Sequence, residues 1–223
     1  MTNFDFLHNR KNTGSVKWDH YASRDIIPLW VADADFASPP CILEALHKTV
    51  DFGILGYSSA TQSCSQAFID YTKSHHQLEI QPNEIFWLPG LVCALNAVCR
   101  AFAEPDDEIL SFSPIYPPFL TSPENSGQRS VPVPMDYDGS TWSLNLETLR
   151  QAITPKSKVL LLCNPYNPIG KVFSQNELEQ IAAICLENDI ILCSDEVHCD
   201  LILNPNKKHR PIASLAPEIA DIT

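Results

Sequence analysis

The stretch Val159-Leu160-Leu161-Leu162-Cys163 is an uninterrupted apolar run, and Ile190-Ile191-Leu192-Cys193-Ser194 is a second one further along the chain. Runs of this kind are typical of parallel strands that are covered on both faces. Between them, Ser174 is a candidate N-cap and Glu177 completes a capping box, which predicts a helix to about Glu187. The order strand, helix, strand predicts a parallel βαβ unit.

The same alternation extends outward from this unit. Sequence patterns predict helices over residues 41–48, 63–76, 92–102 and 144–153, and strands over 85–88, 108–112 and 129–133. We therefore expect an α/β fold: a mainly parallel sheet with right-handed crossovers and helices on both faces. Ligands of such sheets bind beyond the carboxyl ends of the strands, so the residues that follow each strand are the candidate site residues.

Composition excludes several classes of function. The 223 residues include 15 Lys and Arg against 27 Asp and Glu, a formal net charge of −12, and no basic patch that would bind nucleic acid. No apolar run is long enough to span a membrane, and residues 1–5 do not resemble a secretory signal. The eight cysteines form no C-x-x-C pair, and several lie in apolar runs, so we expect structural thiols in the cytoplasm.

Four segments after predicted strands carry groups that can bind a ligand. Leu91 and Val92 begin a helix whose free N–H groups can hold a phosphate, although any strand-turn-helix with a glycine looks similar. Tyr116 lies among prolines and can stack on a planar ligand, or can be a packed surface aromatic. Asn167 lies between two prolines and can direct its amide into a crevice or simply belong to a turn. Asp195 can pair with a protonated heterocyclic nitrogen.

A metal site is the alternative interpretation of the last segment. Asp195, Glu196, His198, Cys199 and Asp200 are all potential ligands within six residues. Neighbouring side chains on a strand point to opposite faces, which disfavours a common metal ion, so we predict none. A phosphate-binding helix start, a stacking ring, an amide and a buried carboxylate together match the needs of pyridoxal 5'-phosphate, which is anchored by its phosphate and acts as an electron sink through its protonated ring.

The chain resembles fold-type I pyridoxal-phosphate enzymes of the class I/II aminotransferase group, within the branch of cystathionine β-lyases and cysteine-S-conjugate β-lyases. The resemblance covers essentially the whole chain. It is carried by Lys17-Trp18-Asp19, Pro28 to Phe36, Gly56-Tyr57, Pro89 to Val92, Ser113 to Phe119, Asn164 to Gly170 and Ser194 to Asp200.

This resemblance implies a role for each matching cofactor-binding residue. The backbone N–H groups of Leu91 and Val92 would bind the phosphate, and Tyr116 would stack on the ring. Asn167 would bond the 3-oxygen with His198 nearby, whereas Asp195 would pair with the ring nitrogen.

The resemblance also implies a substrate entrance and a shared active site. Trp30, Ala32 and Asp35 would line the entrance for a sulfur amino acid, where the family often has methionine at the place of Ala34. Tyr57 would reach the cofactor of a partner subunit in a homodimer. The implied reaction is α,β-elimination, in which the thiolate leaves Cβ and pyruvate and ammonia are released.

The resemblance further implies a departure from the family. The Schiff-base lysine of the family follows the aspartate by roughly 35 residues, beyond Thr223, while Lys207 and Lys208 resemble solvated surface charges. We expect an N-terminal segment over 1–45, an incomplete cofactor domain over 46–223, a missing carboxyl-terminal small domain, and a chain inactive by itself. An aminotransferase, or a non-catalytic fragment that binds cofactor or dimerises, is the alternative.

Overall fold

The computed structural model describes residues 3–223, which form two compact units. The first unit ends at Ser59 and the second is Ala60–Thr223. The sequence-based domain boundary at residue 45 lies earlier in the chain than this division and stays a prediction.

The first unit contains two helices, α1 (Val16–Asp19) and α2 (Pro40–Phe52). The predicted helix over 41–48 is therefore confirmed and extends in both directions. Pro40 occupies the first turn, where its missing N–H costs nothing, and Gly53 ends the helix with a φ of 74°. None of the α2 side chains is buried.

The second unit contains a sheet of four strands in the order β2-β1-β5-β6, and every pair is parallel. The four strands are β1 (Glu108–Ser113), β2 (Arg129–Pro134), β5 (Ser157–Cys163) and β6 (Ile191–Asp195). The main parallel sheet is thus confirmed. A separate antiparallel pair, β3 (Asp136–Tyr137) and β4 (Trp142–Ser143), was not predicted.

Six further helices belong to this unit. They are α3 (Gln62–His76), α4 (Leu91–Phe102), α5 (Pro118–Asn125), α6 (Leu146–Ala152), α7 (Gln175–Glu187) and α8 (Pro217–Ala220). Sequence patterns predicted four of them but missed α5 and α8. The capping box of α7 is confirmed: Ser174 Oγ accepts from Glu177 N–H, and the Glu177 carboxylate accepts from Ser174 N–H.

The core lies on both faces of the sheet. Successive side chains of a strand point to opposite faces, yet all but one of the β5 residues are buried, so helices cover both sides. Helix α4 packs against β5 and β6, whereas α5 packs against β1 and β2. Strand β2 is paired only with β1, and its two prolines suit such an edge position.

One predicted strand is wrong. Residues 85–88 form no strand, because no neighbouring strand among the described residues pairs with them. Phe86 is 83% exposed, and Trp87 and Leu88 are about half exposed, so the apolar run does not belong to the core of this unit. An apolar run indicates burial only where another element covers it.

Two further expectations concern the cysteines and the membrane-spanning segments. All eight cysteines are free, and Cys99, Cys163 and Cys185 are buried as small apolar side chains, whereas Cys193 is partly buried. Cys41, Cys64 and Cys93 are exposed. Within residues 3–223, no helix has the length and apolarity needed to cross a bilayer.

Candidate functional site

The loops after β1, β5 and β6 meet at the carboxyl edge of the sheet. The Tyr116 N–H donates to the Asn167 carbonyl at 3.2 Å, which joins the first two loops. The Asn164 N–H donates to the Asp195 carbonyl at 3.0 Å, which joins the second and third. Three of the predicted site segments therefore lie side by side, as the parallel topology requires.

Asp195 ends β6 with its side chain partly buried. Its Oδ1 accepts the Val197 N–H at 3.0 Å, and no Lys, Arg or His side chain among the described residues forms an ion pair with it. Burial raises the pKa of the Asp195 carboxyl, and the hydrogen bond from Val197 opposes that rise. A cation placed against this carboxylate would remove the cost of its burial.

Asn167 and His198 line one cavity of about 420 Å³. Tyr166 lies against the same cavity but is buried, and its hydroxyl finds no hydrogen-bond partner among the described residues. Asp195 and Tyr116 are not part of the cavity lining. The structure thus places Asn167 and His198 around one cavity and joins Asn167 to Tyr116 through a backbone hydrogen bond.

Lys207 also lines this cavity, from a turn in which its N–H donates to the Asn204 carbonyl at 3.0 Å. Lys207 and Lys208 are both exposed, as the sequence predicted. The place of Lys207 on the same cavity as Asn167 and His198 was not predicted, because a turn of polar residues gives no signal of what lies across from it.

Helix α4 begins without a side-chain cap. Gly90 is its N-cap with a φ of 114°, a conformation that a residue with a Cβ adopts only with strain. The helices α3, α6 and α7 have capping side chains on Thr61, Asn145 and Ser174, respectively. The first N–H groups of α4, at the half-exposed Leu91 and Val92, therefore have no side-chain acceptor from the N-cap and favour an anion.

The first unit holds the remaining predicted residues. Tyr57 is fully exposed, Trp30 is 49% exposed and Ala32 is exposed. The Asp35 carboxylate accepts from Arg10 Nη1 at 2.8 Å, Lys17 Nζ at 2.7 Å and Trp18 Nε1 at 2.7 Å. The entrance roles of Trp30, Ala32 and Asp35 stay predictions.

These donors also set the charge state of the first unit's aspartates. Hydrogen bonds from Lys17 and Trp18 hold the pKa of the Asp35 carboxyl well below its usual range. The Arg10 guanidinium, paired with Asp33 at 2.7 Å, lowers the pKa of the Asp33 carboxyl. The Lys-Trp-Asp and Ala-Asp-Ala-Asp segments are therefore linked by the Lys17–Asp35 ion pair and the Trp18–Asp35 hydrogen bond, and Arg10 adds ion pairs to Asp33 and Asp35; the sequence patterns did not predict these contacts.

The expectation that Asp195 to Asp200 lie on a strand end, with neighbouring side chains on opposite faces, is wrong. Strand β6 ends at Asp195, and residues 197–200 form a turn in which neighbouring side chains need not point to opposite faces. His76, Cys199 and Asp200 each place one potential ligand atom within 4.8 Å of the others. Hydrogen bonds already engage two of them: the Tyr71 hydroxyl donates to Asp200 and lies 3.4 Å from His76 Nε2.

Glu196 and His209 form a further polar contact that was not predicted as functional. In the sequence, Glu196 stands out only as a potential metal ligand. His209 lies fourteen residues beyond β6, in an irregular segment. No spacing rule connects a strand end to such a segment, so only the tertiary structure reveals the pair.

The parallel sheet and the groups gathered at its carboxyl edge define the class: an α/β domain with the aminotransferase-like fold of pyridoxal-phosphate enzymes. The chain belongs to the aminotransferase class I and II family, whose model matches residues 24–223. Enzymes of this family depend on pyridoxal 5'-phosphate.

Three relatives illustrate this similarity. Cystathionine beta-lyase PatB of Bacillus subtilis is 36% identical over 226 aligned residues, which cover 99% of this chain and 58% of PatB. The crystal structure of OvoB matches with a TM-score of 0.93 and 38% identity over 99% of this chain and 58% of OvoB. Cystalysin from Treponema denticola, whose structure contains pyridoxal 5'-phosphate, matches with a TM-score of 0.93 and 31% identity over 100% of this chain. The chain spans about 58% of the length of each of these relatives.

Proposed function

We propose that these residues bind pyridoxal 5'-phosphate in a carbon–sulfur β-lyase that acts on cystathionine or L-cysteine-S-conjugates. The observation that carries the proposal is the partly buried Asp195 carboxylate at the edge of the sheet, which forms no ion pair with any side chain of residues 3–223. It is supported by the similarity to PatB, which is named as a cystathionine beta-lyase.

The residues present suit this cofactor. A protonated pyridine nitrogen would supply the cation that the Asp195 carboxylate lacks, and the uncapped start of α4 suits a phosphate dianion. Asn167 and His198 border one cavity, which suits a bond to the 3-oxygen of the ring. Tyr116, held to Asn167 through the backbone, is 40% exposed and offers its ring for stacking.

Bound pyridoxal phosphate withdraws electrons from the α-carbon of an amino acid, which allows the α-proton and then a thiolate at Cβ to leave. Asp195 would keep the ring nitrogen protonated, since a carboxylate in a site of low dielectric favours the cationic neighbour. The amide of Asn167 would donate a hydrogen bond to the 3-oxygen and help to orient the ring. The N–H groups of Leu91 and Val92 would fix the opposite end of the molecule.

We also propose a homodimer in the cytoplasm, in which Tyr57 contacts the cofactor of the partner subunit. The full exposure of Tyr57 and the eight free thiols are consistent with this proposal. Trp30, Ala32 and Asp35 would shape the entrance for the thiol-bearing substrate.

The activity is tested on the protein purified at its natural length and loaded with pyridoxal 5'-phosphate. We expect L-cystathionine to yield pyruvate and ammonia without added oxo acid. Asp195→Asn should remove this activity, whereas Asp221→Asn, at an exposed aspartate of the last turn, should retain it. Amino transfer that requires 2-oxoglutarate and yields no pyruvate would identify an aminotransferase instead.

Cofactor binding by the 223 residues is tested separately. We propose that they bind pyridoxal 5'-phosphate without a covalent bond and are inactive by themselves, so that borohydride does not attach the cofactor to the chain. Mass spectrometry after reduction and proteolysis reads the result. A reduced adduct on Lys207, the lysine beside Asn167 and His198, would contradict this part of the proposal.

A further inference from the structure

The Glu196 carboxylate accepts hydrogen bonds on both of its oxygens. Its Oε1 accepts from Ser194 Oγ at 2.8 Å and from the Ile212 N–H at 3.2 Å. Its Oε2 lies 3.0 Å from His209 Nε2, and because an ionised carboxylate only accepts, His209 donates there. Both oxygens are therefore fixed, by donors from two segments of the chain.

His209 is held by this hydrogen bond and by packing, while its Nδ1 is buried without a hydrogen-bond partner among the described residues. Its side chain is only 2% exposed, and the ring of His76 packs edge-on against it with centroids 5.5 Å apart. The Glu196 side chain is 20% exposed. A charge-assisted hydrogen bond at this depth is stronger than one in water, and the packed ring leaves the donor little freedom to move.

The residues immediately before and after Asp195 take part in these contacts. Glu196 follows it directly and Ser194 precedes it, while the Asp195 carbonyl accepts from Asn164 and its Oδ1 accepts from Val197. The Asp195 backbone is thus joined to Asn164 in the loop after β5, and the side chain of the next residue, Glu196, is joined to His209 and to the Ile212 N–H. A functional side chain needs such support, because a loosely held group misses its partner by enough to weaken the interaction.

We propose that Glu196 and His209 are positioning residues, which hold the Asp195 carboxylate in the orientation that pairs with the protonated ring nitrogen of the bound cofactor. The inference rests on the proposed function, because it assigns positioning residues to Asp195, the residue on which that function depends. If Glu196 and His209 only stabilised the fold, their substitution would lower the free energy of unfolding but would leave the pKa of the bound ring nitrogen unchanged.

The probe is pyridoxamine 5'-phosphate with ¹⁵N at the ring nitrogen, because it cannot form an imine and so reports on the non-covalent contacts. Its ¹⁵N chemical shift is followed against pH when it is bound to the protein. In Glu196→Gln and His209→Leu we expect the ring nitrogen to lose its proton about one pH unit lower than in the wild type, a roughly tenfold loss of proton affinity. His209→Gln, which keeps a donor at the place of Nε2, should titrate like the wild type.

The control is His47→Leu, at an exposed histidine of α2, which should change nothing. A wild-type titration in Glu196→Gln, whose side chain has nearly the volume of the original, would overturn the inference even where His209→Leu fails to fold. If the wild type and Asp195→Asn titrate alike, or the wild type binds no probe, the proposed function fails and the inference fails with it. If Asp195→Asn lowers the pH at which the ring nitrogen loses its proton and Glu196→Gln does not, the inference about Glu196 and His209 is wrong and the proposed function stands.

Discussion

Within the described part of the chain, the partly buried Asp195 carboxylate accepts one hydrogen bond, from the backbone N–H of Val197. Burial of a charge without a partner is costly, so a cation that reaches this carboxylate gains more than it would at an exposed aspartate. The buried carboxylate of Glu108, by contrast, accepts hydrogen bonds from the hydroxyl groups of Thr154 and Ser157.

Replacement of Asp195 by asparagine should therefore weaken the binding of pyridoxamine 5'-phosphate. We expect a dissociation constant higher by at least about tenfold, which corresponds to roughly 1.4 kcal/mol. A fluorescence titration of the ligand measures the change, and Asp221→Asn is the control. Equal affinities for Asp195→Asn and the wild type would contradict the assignment of Asp195 to the ring nitrogen.

The ion pairs of the first unit give a prediction about acid. Because the pKa values of Asp33 and Asp35 are lowered in the folded chain, their contribution to stability is present above the unfolded value, about pH 4. It is lost as the pH falls below that value and the carboxylates become protonated. Asp35→Asn should lower the thermal midpoint at pH 7, and the difference from the wild type should vanish in strong acid.

Fluorescence of Trp18 and Trp30 follows this transition, since both indoles donate hydrogen bonds within the same segment. Asp51→Asn, at an exposed aspartate of α2, serves as the control and should melt like the wild type at every pH. A difference between Asp35→Asn and the wild type that persists unchanged at low pH would show that the charge is not responsible.

At the scale of elements, helix α7 illustrates how a local signal fixes a boundary. Ser174 and Glu177 exchange hydrogen bonds at its start, so two N–H groups that the helix itself leaves free are satisfied. Ser174→Ala should lower the free energy of unfolding by about 1 kcal/mol. Urea unfolding measures the loss, and Gln180→Ala, at an exposed position in the same helix, should cost much less. Equal midpoints for the two variants would argue against the cap.

A substitution in the central strand β5 should lower the free energy of unfolding by more than the loss of the α7 cap. Leu161 of β5 is fully buried and lies between Ser111 of β1 and Cys193 of β6. Leu161→Ala should lower the free energy of unfolding by about 2–5 kcal/mol, because the substitution leaves a cavity in a closely packed core. Leu7→Ala, where the side chain is 91% exposed, should change it by less than about 0.5 kcal/mol. A similar loss for both variants in urea would mean that β5 is not the centre of the core.

At the scale of the whole molecule, the proposed homodimer makes a prediction about mixed subunits. If Tyr57 serves the partner's site and Asp195 serves its own, a dimer of Asp195→Asn with Tyr57→Ala contains one intact site and one doubly altered site. Refolding an equal mixture of the two inactive variants at natural length should restore about a quarter of the wild-type activity, since half of the dimers are mixed. Each variant refolded alone is the control.

Lack of recovery, in a mixture shown by mass spectrometry to contain mixed dimers, would contradict a shared site. The experiment does not depend on which thiol conjugate is the preferred substrate, because the same substrate is used for every mixture.

The sequence by itself determined the fold and the order of the main elements. The apolar runs at 159–163 and 190–194 and the capping box between them are local signals, and a parallel sheet follows from their alternation with helices. The same alternation implied that segments 113 to 119, 164 to 170 and 195 to 200 meet at one edge. Periodicity failed at 85–88, where exposure depends on what covers the run.

Only the tertiary structure decided the contacts between residues far apart in the chain. The hydrogen bonds from His209 and Ile212 to Glu196, the donors from Arg10 and Lys17 to Asp35, and the place of Lys207 beside Asn167 have no signature in spacing. Hydrophobic periodicity specifies which face of an element is buried, because burial repeats with the element's own geometry. The partner of a polar side chain depends instead on how loops close over the sheet.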